Sequence, residues 1–192
     1  MTFAELSQRV RDHLGQDHRY AHCVRVARLA ERFARAHGVS TRKARIAGML
    51  HDLTRLYDAD TLVAECGRRA IPIDGYARKH PIVLHAPLSA AVAQERFGID
   101  DGEVLSAIAK HTLGDVDMSA LDQVVYLADG LEPGRSFAER ASLEQLAMRD
   151  LSAATLATIS SSQRYLRARG LEAAPQTLRA KEALEGIAGR SS

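Results

Sequence analysis

Apolar side chains in this chain return every three or four residues almost from end to end, and convincing alternation of apolar with polar residues is absent. That rhythm predicts helices packed on helices, so the expected fold class is all-α. Thr2 and Glu5 have the spacing of a capping box, opening a helix with Phe3, Leu6, Val10 and Leu14 on one stripe and Gly15 at its end. Asp17 is the expected cap of a second helix bearing Val26, Leu29, Ala30 and Phe33, with Gly38 as its stop; Ser40 caps a third, which runs into His51 and Asp52. A short helix is expected between Asp60 and Gly67, a break at Ile71–Gly75, then helices from Pro87 to Phe97 and from Asp101 to His111. Ser119 and Asp122 form a second capping-box pair before an apolar run ending at Asp129, and Glu132-Pro-Gly-Arg turns the chain. Two more helices are expected near Ala138–Met148 and Leu151–Arg169.

At 192 residues the chain has the length of one domain, expected over 1–192 with a core about 17–135, C-terminal helices about 138–188 and a tail that frays from Arg190. Lys plus Arg (26) nearly balance Asp plus Glu (24), which argues against a general nucleic-acid partner. Cys23 and Cys66 form no CxxC, and reduced thiols in a cytoplasmic protein are expected. No basic head precedes an apolar run at the N-terminus, and no stretch reaches the roughly 18 apolar residues of a membrane span, so neither export nor insertion is expected.

The chemistry is expected where histidines and aspartates meet the apolar faces. His22 shares a face with Val26, Leu29 and Phe33; alone it reads as a hydrogen-bonded core residue. Asp52 closes an apolar run, and Asp129 follows Val-Val-Tyr-Leu-Ala, so both carboxylates are drawn inward, where each needs a cation, a metal or donors. His51 and Asp52 are about 100° apart around a helix and reach one ion only where the backbone opens at the helix end. By itself the pair reads as an exposed terminus. Imidazole and carboxylate without thiolate suit iron, manganese, zinc or cobalt better than magnesium or calcium. His13, His37, His80 and Cys23 read as solvated or packing residues.

The order His22, His51-Asp52, His85, His111, Asp129 resembles the HD-domain phosphohydrolase superfamily, an all-helical bundle. Resemblance is closest to its YqeK-like branch, described as symmetrical diadenosine tetraphosphate hydrolases. It is carried by His18-Arg-Tyr-Ala-His22, Leu50-His-Asp-Leu53, Leu84-His-Ala-Pro87, Ala107-Ile-Ala-Lys-His-Thr-Leu-Gly114 and, most specifically, Tyr126-Leu-Ala-Asp-Gly-Leu-Glu-Pro-Gly-Arg135. The resemblance implies His22, His51, Asp52 and Asp129 as ligands of one or two divalent transition metals, iron first, with manganese, cobalt or zinc as alternatives. It implies catalytic parts for Asp52, His85 and His111, the two histidines facing phosphate or completing a second metal position. Arg135 would hold a phosphate, and Arg19, Arg25 and Arg55 are further phosphate candidates, because a guanidinium offers a fork to phosphate oxygens. The chain departs from its relatives at Thr54-Arg55, where they usually carry a small residue and lysine. The implied reaction cleaves diadenosine tetraphosphate to two ADP with a metal-activated water. Another nucleotide or phosphoanhydride, or a nucleotide-binding module without turnover, is the alternative; a homodimer is compatible with either. No strong adenine signature is present, and Tyr20, Tyr76 and Phe137 are the aromatic candidates for stacking.

Overall fold

The fold is set by how closely two early helices approach. In the structure, a computed structural model that describes residues 2–188, α2 (Asp17–Ala36) lies along α3 (Thr41–Leu50) over much of its length. A Cβ on Gly48 would stand 2.9 Å from the Cα of Ala27, so the two backbones touch there with no side chain between them. The stripe expected on α2 is buried: Val26, Leu29, Ala30 and Phe33 are 2 % exposed or less. Ahead of α2, α1 (Phe3–Leu14) carries the expected capping box and buries Leu6, Val10 and Leu14.

After α3 come α4 (Ala59–Arg68), α5 (Gly75–Lys79), a 3-10 turn (Pro81–Leu84), α6 (His85–Phe97) and α7 (Gly102–Lys110). Next, α8 (Ala120–Leu131) packs against α2, α3 and α7, and its Val124, Val125, Leu127 and Ala128 are fully buried. Beyond the Glu132–Arg135 turn, α9 (Arg140–Ala147) and α10 (Leu151–Arg167) lie against α8, and α11 (Pro175–Ala188) returns along α10. Among the described residues there is no strand, and no helix is long and apolar enough to cross a membrane.

Several expected boundaries shift, each for a local reason. Asp17 does not cap α2: Gln16 holds that place without a side-chain bond, and Asp17 sits in the first turn, where its charge faces the positive helix end. The short helix expected between Asp60 and Gly67 starts one residue earlier and ends one later, at Ala59–Arg68, capped by Asp58, whose side chain accepts from the Thr61 amide. The break at Ile71–Gly75 leads into α5, capped by Asp74, and the 3-10 turn starts at Pro81. This turn feeds α6 from His85, two residues before Pro87. The expected C-terminal helices are joined by α11, with Pro175 at its first position. The tail expected to fray from Arg190 lies outside the described residues.

Candidate metal centre and phosphate cleft

Three of the four central histidines stand at helix ends, each aimed in the same way. His51 is the C-cap of α3, His111 the C-cap of α7, and His85 follows the 3-10 turn into α6. Each ring turns Nδ1 back onto the carbonyl three residues earlier: His51 to Gly48 at 2.8 Å, His85 to Ile82 at 2.5 Å and His111 to Ile108 at 2.7 Å. A carbonyl oxygen only accepts, so Nδ1 carries the hydrogen and Nε2 of the neutral ring points inward with a lone pair. His22, within α2, reaches the same state through a carboxylate, its Nδ1 donating to Glu132 Oε1 at 3.1 Å.

The four Nε2 atoms converge in pairs, His22 with His51 at 3.2 Å and His85 with His111 at 3.1 Å. Asp52 lies between the pairs. Its Oδ2 is 3.5 Å from His22 Nε2 and 3.4 Å from His51 Nε2, while its Oδ1 is 3.2 Å from His85 and 3.8 Å from His111. Asp129 closes the first pair, with Oδ1 3.1 Å from His22 Nε2 and 3.8 Å from His51 Nε2. His51 and Asp52 reach one centre because α3 stops at Leu50 and the chain continues as a turn.

Charge tests whether these residues suit a metal. Burial opposes ionisation of Asp52, yet His51, His85 and His111 outweigh it and hold the carboxyl far below its usual range. Asp129 is likewise held low, against its burial: without a metal, positive charge on the facing imidazoles and on Arg135 takes the place of the ion. Burial works against a proton on His51, but Asp52 and Asp129 raise its pKa, whereas burial and the neighbouring histidines push His111 down to about 3. Inward lone pairs beside two ionised carboxylates repel one another unless a cation stands among them. His22, His51 and Asp129, and again His51, Asp52 and His111, bring ligand atoms within 4.8 Å of one another. The donors therefore fit a divalent transition metal.

The arginines divide. Arg19, Arg55 and Arg135 line a cleft of about 320 Å³ above the centre. Arg19 donates from Nη1 to Asp52 Oδ2 at 2.7 Å, and Arg135 from Nη2 to Asp129 Oδ1 at 2.6 Å. Arg25 does not line the cleft: its Nε and Nη2 bind the buried Glu132 carboxylate at 2.5 and 3.2 Å. Thr54 also stays out, binding Ser89 and the His85 carbonyl and so tying the turn after α3 to the start of α6.

Sequence reasoning missed Glu132, which it assigned to a turn. Its carboxylate accepts from His22, Arg25 and the Gly134 amide, the last at 2.6 Å. Burial alone would raise its pKa, but these donors pull it down to about 2. A Cβ on Gly134 would lie 2.7 Å from Arg25 Nη2 and 2.8 Å from that carboxylate, so a side chain there would have to push the Arg25–Glu132 pair aside. The Glu-Pro-Gly-Arg string was the available signal. Thr112 was also missed; its hydroxyl lies 3.2 Å from His85 Nε2 and 3.0 Å from His111 Nε2.

A helical bundle that gathers a histidine, a His-Asp doublet and a distant aspartate is the arrangement of an HD domain. The HD-domain family model matches residues 19–134, and the chain belongs to this family. Over 161 residues, 84% of this chain and 86% of the relative, it is 31% identical to the Bis(5'-nucleosyl)-tetraphosphatase, symmetrical, of Bacillus subtilis. A Halalkalibacterium halodurans protein of the same description is 33% identical, covering 89% of this chain and 90% of its own. A solved structure described as a predicted HD superfamily hydrolase involved in NAD metabolism, from Clostridium acetobutylicum, aligns with a TM-score of 0.92. It is 29% identical, over 97% of this chain and 98% of that one.

Proposed function

We propose that this protein is a hydrolase cleaving diadenosine tetraphosphate at its central anhydride to give two ADP. The observation that carries this reading is Asp52 lying between two imidazole pairs, with each carboxylate oxygen facing one pair, beneath a cleft lined by Arg19, Arg55 and Arg135. The relatives' descriptions supply the substrate. His22, His51, Asp52 and Asp129 would hold a divalent ion, and Asp52 Oδ1 with His85 and His111 suits a second; iron is our first choice, ahead of manganese, cobalt and zinc. When bound, such an ion supplies a Lewis acid that makes water a nucleophile near neutral pH and offsets phosphoryl charge.

The chain's own groups do the rest. Hydrolysis adds one water across the central anhydride: the water oxygen joins one inner phosphorus, and the bridging oxygen leaves with the other. Arg19, Arg55 and Arg135 hold and screen the phosphates, so the departing ADP leaves as a stabilised anion. Two buried polar atoms of the cleft, Arg19 Nε and Thr158 Oγ1, lack a hydrogen-bond partner and suit phosphate or ribose oxygens. Neutral His111 offers a lone pair and no proton from Nε2, so its part is to bind. Thr112 orients the His85–His111 pair, and Arg25 reaches the chemistry only through Glu132 and His22.

The test is turnover of diadenosine tetraphosphate by anaerobically purified protein, with elemental analysis and chromatography of products. ADP alone is expected. Equimolar AMP and ATP, or tight binding without turnover under each of the four metals, would overturn the reading.

A further inference from the structure

If the preceding reading holds, the substrate is too large for the cleft that holds the reacting phosphates. About 320 Å³ lies at the low end of the roughly 300–1,000 Å³ typical of small-ligand pockets, yet the substrate is two whole nucleotides. A second groove, of about 810 Å³, runs between the α5 segment and the α10–α11 connection. It shares both walls with the cleft. On α10, Thr158 and Ser162 line the cleft while Gln163 and Arg167 line the groove; on the opposite wall Ile82 and Val83 line the cleft while Tyr76, Lys79 and His80 line the groove. Five residues of helix, about 7.5 Å of rise, separate Ser162 from Arg167.

The groove is furnished for a nucleotide. Tyr76 and His80 lie with ring centroids 4.5 Å apart, and the Tyr76 hydroxyl donates to the Glu172 carbonyl at 3.4 Å, across the groove. Leu171 and Leu178, 50 % and 40 % exposed, leave apolar surface in water on its far side. Lys79 and Arg167 are exposed and line the groove, and neither has an ion-pair partner among the described residues. Rings and leucines provide faces for a purine, and two cations line the same groove.

We propose that this groove binds the second nucleoside of the substrate, its purine against Tyr76, His80 and the leucines, with Lys79 and Arg167 on the outermost phosphate of that half. The inference rests on the diadenosine tetraphosphate reading and adds where the distal half lies. On this assignment the reacting phosphates stay in the cleft with Asp52, and the second nucleoside extends along α10 into the groove.

Two substrates that share the reacting bond test this. Adenosine 5'-tetraphosphate, cut at the corresponding anhydride, gives ADP and pyrophosphate and lacks the second nucleoside. The quantity read is the ratio of kcat/KM for diadenosine tetraphosphate to that for adenosine 5'-tetraphosphate, which cancels any loss of folded protein. The wild-type ratio is expected above one, to fall about tenfold or more in Tyr76→Ala and in the surface double variant Lys79→Glu/Arg167→Glu, mainly through KM, and to be retained in Tyr76→Phe. A wild-type ratio near one, or a ratio unchanged in both disruptive variants, overturns the groove assignment while leaving the enzyme reading intact. Wild-type protein that fails on diadenosine tetraphosphate but cleaves another nucleotide overturns both.

Discussion

Asp52 is the side chain that no neighbour can replace. Replacing one of its oxygens by an amide nitrogen, as in Asp52→Asn, removes a charge facing two imidazole pairs and puts an N–H against a lone pair. Turnover should fall at least about a thousandfold and bound metal should drop, read by assay and elemental analysis on the same sample. Glu132 gives a subtler prediction, because it touches the chemistry only through His22 Nδ1. Glu132→Gln can still accept from that ring but no longer offsets Arg25; a chelator competition should show about 10- to 100-fold weaker metal binding, with Glu132→Ala worse. The six inward residues were legible because each breaks an apolar pattern at a helical position or belongs to a resembling string. Glu132 was not, because a glutamate in a Pro-Gly turn looks solvated until folding lays His22, Arg25 and Gly134 around it. The division of Arg25 from Arg19 was hidden too: both lie on α2, and only tertiary packing decides which one faces the cleft.

At the scale of the helix, the close approach of α2 and α3 determines whether His22 and His51 meet. Gly48→Ala sets a methyl 2.9 Å from the backbone of Ala27, where no flexible side chain can give way. We expect about 1–3 kcal/mol of destabilisation, or roughly 2–4 °C in Tm for each kcal/mol, together with weaker metal binding as the His22–His51 pair separates. A normal Tm and metal affinity would show that this contact is slack. Long helices were legible because periodicity accumulates over many turns, as α2 and α8 illustrate. The five-residue α5 and the four-residue 3-10 turn carry too few positions to show a period. Their signals were Asp74 and Pro81, which read equally well as loop residues. The Asp17 error has the same origin: an acidic residue favours both the cap and the first turn, and spacing alone does not separate them.

For the molecule as a whole, the buried charges give stability a pH dependence whose sign follows from the shifts. His111 titrates near 3 when folded and near 6.5 when unfolded, so the unfolded chain takes up the extra proton between those values and stability falls as pH drops through that window. Glu132, Asp52 and Asp129, all depressed, deepen the loss below about pH 4. His51 is raised, so its contribution is complete below 6.5 and disappears as pH climbs through its folded pKa. Metal-free protein should therefore show a Tm maximum near pH 6–7. Added metal should stabilise most at the alkaline side, where no proton has to leave His51. A flat profile from pH 4 to 8 would mean that the imidazoles are not buried together. We also expect one cooperative calorimetric transition for the chain, because α8 packs on both the early helices and α9–α10. The three backbone clamps on His51, His85 and His111 have a kinetic corollary. Every clamp closes within four consecutive residues, so these rings acquire their aim during local helix formation, ahead of long-range assembly. Capture of an ion should then proceed without a rotamer search, at a pace governed by passage through the arginine-lined mouth.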